Sequence, residues 1–139
     1  MKATVRSGTW MAGLAVAAGL GLEACAYSIH SVRPGNAPAA IPSLNSPASD
    51  TAVTLTPDEL QAFVASTRPG GPGGIDIFYA WRPSTSAGFS TPVPLNELNT
   101  ASNDTPTWAS PDGCTLYFAT RDRAGGPGGY DTFVATRGK

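Results

Sequence analysis

An all-β fold is what this sequence predicts, and three observations carry the prediction. Residues 111–137 echo residues 57–82 at nearly constant spacing. Aromatic and β-branched residues fall in short runs separated by turns that draw on 16 Gly and 13 Pro, the pattern of strands bounded by turn residues. No stretch carries the long period of an amphipathic helix. The echo runs through whole motifs. Pro57-Asp58-Glu59-Leu60, Ala62-Phe63-Val64, Arg68 and Gly70-Gly71-Pro72-Gly73-Gly74-Ile75-Asp76 stand against Pro111-Asp112-Gly113-Cys114, Leu116-Tyr117-Phe118, Arg123 and Gly125-Gly126-Pro127-Gly128-Gly129-Tyr130-Asp131. A repeat of this length announces stacked supersecondary units.

Taken from the amino terminus, residues 1–25 read as an export signal. Lys2 and Arg6 precede an uncharged, mostly apolar stretch from Trp10 to Leu22, and small residues Ala24, Cys25 and Ala26 follow. The apolar run is short of the roughly 20 residues that a spanning helix needs. Leu22-Glu23-Ala24-Cys25 is similar to the lipobox of bacterial lipoproteins, which implies lipidation of Cys25; the competing scheme is ordinary cleavage at Ala24-Cys25-Ala26. Residues 26–52, rich in Ala, Pro, Ser and Asn, have the composition of a disordered tether. The folded region is then expected over 53–139.

Within that region the first copy holds a conflict. Thr56-Pro57-Asp58-Glu59 is a sound helix start, with a capping threonine, proline at the first helical position and glutamate at the third. The same columns of the second copy read Ser110-Pro111-Asp112-Gly113, followed by the strand-like Thr115-Leu116-Tyr117-Phe118-Ala119-Thr120. The repeat therefore predicts a turn and a strand in both copies. The Gly-Pro loops at 70–74 and 125–129 reverse the chain into second strands, making two antiparallel hairpins. Between them, residues 88–95 give a loose strand, 96–102 a polar connection and 103–109 a short strand. One period thus contains four strands, the content of an antiparallel four-stranded β-propeller blade, and the chain holds about one and a half such repeats, an incomplete propeller. A lone blade leaves apolar faces uncovered, which implies self-association or a place in a longer propeller.

The segment from Thr107 through Ser110-Pro111-Asp112-Gly113 and Leu116-Tyr117-Phe118 to Arg123 and Gly128-Gly129-Tyr130-Asp131 resembles the WD-like β-propeller repeat of the Pro-Asp type, TolB-like, found in bacterial envelope lipoproteins. The first copy departs from it at Thr56 and Glu59, where serine and glycine are usual. The resemblance implies a non-catalytic interaction or scaffold module, lipid-anchored in the periplasmic or outer-membrane envelope, with envelope proteins or polysaccharide as partners. The alternatives are a soluble periplasmic or secreted protein, a fragment of a larger propeller enzyme acting on carbohydrate or peptide, and an inactive remnant.

Little in the sequence points to catalysis. The single histidine, His30, lies outside the expected folded region, which leaves no imidazole there for a triad or zinc site. Asp58 with Asp112, and Asp76 with Asp131, are each one column seen twice, the behaviour of a turn or hydrogen-bond device and not of an acid–base pair. The glycine loops lack a Lys-Ser or Lys-Thr, and Pro72 and Pro127 each remove an amide donor, so they read as turns and not phosphate cradles. No cofactor is expected. A net charge of −1 without a basic patch argues against nucleic acid. Cys114 shares its column with Leu60 and is expected as a small buried apolar residue. Trp81, Trp108 and Tyr130 are the expected binding surface, alongside Tyr79 and Phe89, because exposed aromatics offer stacking area for a sugar or peptide.

Overall fold

The computed structural model describes residues 38–138. Among them the chain forms two antiparallel sheets and no helix. The first sheet is a meander of β1 (Asp50–Leu55), β2 (Gln61–Ser66), β3 (Asp76–Trp81) and β4 (Val93–Pro94), in that spatial order. The second consists of β5 (Asp104–Ala109), β6 (Thr115–Arg121) and β7 (Tyr130–Thr136). The strand reading of 56–66 holds against the helix-start signal. Thr56 Oγ1 bonds Asp58 at 2.6 Å and accepts the Gln61 N–H, so the side chain that would cap a helix instead closes a turn.

The same hydrogen bonds recur in the second sheet. Ser110 Oγ donates to Asp112 at 2.7 Å, the Cys114 N–H donates to Asp112, and the Thr115 N–H donates to Ser110 Oγ. At the far end of each hairpin an arginine does one job twice. Arg68 donates to the Leu44 carbonyl, and Arg123 to the Leu98 carbonyl, both at 2.6 Å. Each also lies against the aspartate that opens its sheet, Asp50 at 2.6 Å and Asp104 at 3.9 Å.

Parity along the strands decides what is buried. Ala62, Val64 and Ala80 point to one side of the first sheet and pack with Leu44 and Phe89. Phe63 and Ile77 point to the other and pack against Ala109, Leu116 and Phe118 of the second sheet. β2 is therefore buried along nearly its whole length, whereas β7 alternates exposed and half-buried residues. Here the side of each sheet that carries Phe63 or Tyr117 is its front, and the opposite side its back; the front of the first sheet packs on the back of the second.

Two expectations need correction. The folded unit starts ahead of residue 53: β1 begins at Asp50, and Leu44, inside the expected tether, is 3% exposed. Its composition mimics a linker because the segment is mostly turn, held by Ser46 N–H and Oγ donating to Asp50. Residues 26–37 and Cys25 lie outside the described residues. Among the described residues the sheets have four and three strands. Lastly, Cys114 is half-buried and not in either core, its Sγ 3.6 Å from the Asp112 carbonyl.

Candidate interaction face

The front of the second sheet is uncovered among the described residues. Register places Trp108, Tyr117 and Val134 in one row across its three strands, and they are 49%, 43% and 54% exposed. The Trp108 and Tyr117 rings meet edge to face, 5.7 Å apart, an arrangement that fixes both while leaving their outer surfaces open. The neighbouring row is Thr105, Ala119 and Thr132, and beyond it Arg121 pairs with Tyr130. Three adjacent large side chains on a flat, sparsely charged sheet face form the kind of patch that marks an interaction surface.

Of the three residues expected to form a surface, two lie on one side of the second sheet, in separate rows. Trp108 and Tyr130 share this face, and Tyr130 Oη is held by Asn103 Nδ2 at 3.1 Å. Trp81 belongs elsewhere. It pairs with Gln61 at the end of the first sheet, exposed beyond the packed core, with its backbone N–H donating to Ser90 Oγ. Phe89 is buried in the back core under the Arg82 guanidinium, 4.4 Å from its ring centre. Tyr79 is half-buried, its hydroxyl donating to Gln61. The expectation passed over Tyr117, although the alternation Leu116-Tyr117-Phe118 puts it opposite two core residues.

The outer edge of β7 is open as well. In the first sheet the equivalent edge of β3 is covered: β4 pairs at Phe78 and Tyr79, Leu95 N–H donates to the Ile77 carbonyl, and Ser90 bonds both the N–H and the carbonyl of Trp81. Asn99 completes the cover, its amide accepting from Ile77 N–H and donating to Ile77 O. Thr132, Val134 and Thr136 stand in the same columns of β7, and no residue outside the sheet bonds them among the described residues. Open N–H and carbonyl groups on an edge are a template for an added strand.

The repeated aspartates tie loops. Asp76 accepts the Gly73 N–H, and Asp131 the Gly128 N–H, so the repeated aspartate ties each glycine loop. Burial pushes the Asp76 carboxyl above its ordinary value, and the Asp104 charge adds to that, against the Gly73 hydrogen bond. For Asp50 burial acts upward too, but hydrogen bonds from Arg68 and Ser46 outweigh it and hold the carboxyl at about 2. The described residues contain no group of three His, Cys, Asp or Glu able to hold a metal. A cleft of about 170 Å³ opens between the sheets beside Tyr79, Leu98, Gly113 and Arg137. Two of its polar groups, Tyr79 and Arg137, both donate to Gln61 Oε1.

No protein-family model, curated protein or solved structure matches the chain. Among the described residues the second sheet presents an exposed aromatic face and an uncovered strand edge.

Proposed function

We propose that the chain is an exported, lipid-anchored envelope protein whose two sheets are neighbouring blades of a β-propeller-type repeat and act as a non-catalytic protein-interaction module. The observation that carries this reading is the open front of the second sheet. Its columns are those with which the first sheet docks its neighbour: Tyr117 stands for Phe63 and Val134 for Tyr79, and Phe63 and Tyr79 belong to the inter-sheet core. A face built on the plan of a docking face, and left bare, is adapted to receive a protein partner. The basic start, apolar run and lipobox-like Leu22-Glu23-Ala24-Cys25 support export and lipidation.

Two measurements test the two halves of the proposal. A photo-crosslinking amino acid placed at Tyr117 gives a higher-mass adduct in the cell envelope, and the same group at the exposed Thr85 gives none; absence of any adduct at Tyr117 removes the interaction reading. Palmitate labels the parent chain and not Cys25→Ser, whereas an unlabelled parent removes the lipid anchor.

A further inference from the structure

Among the described residues, the back of the first sheet carries a second uncovered surface, and it matches the first. Ile41, Leu44, Val53 and Val64 line a shallow socket of about 280 Å³ there. Ile41 and Val53 are 44% and 51% exposed. The repeat places Ile41, Leu44 and Val64 in the columns of Leu95, Leu98 and Phe118, the three residues of the second sheet's side that meet the front of the first sheet in the inter-sheet core.

The backbone agrees with the side chains. Leu44 and Asn45 N–H both donate to the Ile41 carbonyl, at 3.0 and 3.1 Å, and Leu98 and Asn99 N–H both donate to the Leu95 carbonyl, at 2.8 and 3.0 Å. The turn at 41–45 is therefore folded as the turn at 95–99 is, and segment 92–99 in its own place covers the edge of β3. Asn45 and Asn99 differ only in what they meet. Asn99 is buried and brackets Ile77 with two hydrogen bonds. Asn45 is exposed, and its side chain makes no hydrogen bond among the described residues. The strand residue it would bracket by the repeat is Thr132, whose outer edge is open.

Resting on the interaction reading above, we infer that the partner is a second copy of this chain, bound head to tail. The front of β5, β6 and β7 in one copy enters the socket behind the first sheet of the next. Segment 38–45 of that next copy runs along β7, with the Asn45 amide on Thr132 N–H and carbonyl. Each junction thus repeats the packing already present between the two sheets of one chain. The face and the socket are different surfaces, so the contact is heterologous and propagates until it closes. With two sheets per chain, closure at the four to eight sheets of known rings takes about two to four copies.

The test uses the full chain carrying Cys25→Ser, with mass measured by light scattering on a sizing column. The parent is expected at two to four times the monomer mass. Val134→Lys removes the face, Val53→Lys removes the socket, and each alone is expected as a monomer with unchanged circular dichroism, since both side chains are about half exposed. Mixed in equal amounts, the two variants are expected to form a dimer and stop, because one intact face meets one intact socket. Asn45→Ala, which removes no side-chain hydrogen bond seen among the described residues, is expected to weaken assembly about tenfold. A parent monomeric up to about 100 µM overturns the inference, and so does a Val53→Lys variant that assembles as the parent does, which signifies face-to-face pairing. In either case an adduct at Tyr117 to another protein keeps the interaction reading alive.

Discussion

Replacing Arg68 with Met removes the charged clamp of the first sheet while keeping most of its apolar stem. The guanidinium Nη2 lies 2.6 Å from both the Leu44 carbonyl and Asp50 Oδ1, Nε lies 3.0 Å from Ser66 Oγ, and the group sits 5.2 Å from the Phe78 ring centre. The Arg68 and Asp50 side chains are 11% and 13% exposed. Stripping one partner from a buried pair costs about 3–5 kcal/mol, and residual access of water here lowers the figure to about 3 kcal/mol at neutral pH. Urea unfolding at pH 7 reads this as a lower midpoint at unchanged slope. The pH dependence checks the cause. Asp50 is held at about 2, below its usual 3.8, so the unfolded chain takes up the proton first as the solution is acidified. The stability that the carboxylate contributes is complete above about pH 4 and is lost as pH falls toward 2. The gap between parent and Arg68→Met is therefore widest above pH 4 and narrows below it. A loss under about 1 kcal/mol at pH 7, or a gap that does not change between pH 5 and 2, refutes the clamp.

Other predictions follow from single contacts. Leu44→Ala leaves a hole beside Ala62, Val64, Ala80 and Phe89 and costs about 2–4 kcal/mol, whereas Ile41→Ala costs less than about 1 kcal/mol in the monomer; equal effects in denaturant titrations contradict the placement of segment 38–45. Glu59 holds φ of 58°, where its counterpart Gly113 holds 65°. Glu59→Gly is expected to stabilise the fold by about 0.5 kcal/mol, since relief of left-handed strain exceeds the entropy cost of glycine and the loss of an exposed ion pair with Arg82. Gly113→Glu is expected to go the other way, by about 2 kcal/mol or more: its Cβ would lie 2.4 Å from the Gln61 amide that holds Tyr79 and Arg137. Thermal melts of the two variants settle the sign.

Turn chemistry was the part of this fold most legible in the sequence. Pro-Asp after a hydroxyl residue, and glycines ahead of Asp76 and Asp131, give their hydrogen bonds locally, so their meaning survives without knowledge of the fold. The all-β character followed from the same columns. β1 was missed because its partner β2 supplies the decisive information, and its own neighbourhood of Ser, Pro and Ala resembles a linker. Aligning 44–60 with 98–114 would have found it, since Leu44, Asn45 and Asp50 all recur as Leu98, Asn99 and Asp104. β4 shrinks to Val93–Pro94 because Pro92 and Pro94 cannot donate to a ladder. The surface was half legible for a different reason. Parity says which residues share a face, but whether that face is covered depends on the neighbouring sheet. Trp81 and Trp108 thus look alike in the sequence and lie on different sheets.

Amide hydrogen exchange, followed residue by residue in the full Cys25→Ser chain at low and high concentration, tests most directly that the second sheet leaves open the face and edge that the first one covers. At low concentration the amides of Ile77 and Trp81, bonded to Asn99 and Ser90, are expected to exchange slowly and those of Thr132, Val134 and Thr136 quickly. At high concentration the three β7 amides are expected to slow at least about tenfold as segment 38–45 of another copy lies along them. Slow exchange of all three in the dilute chain, or fast exchange that concentration leaves unchanged, contradicts the account.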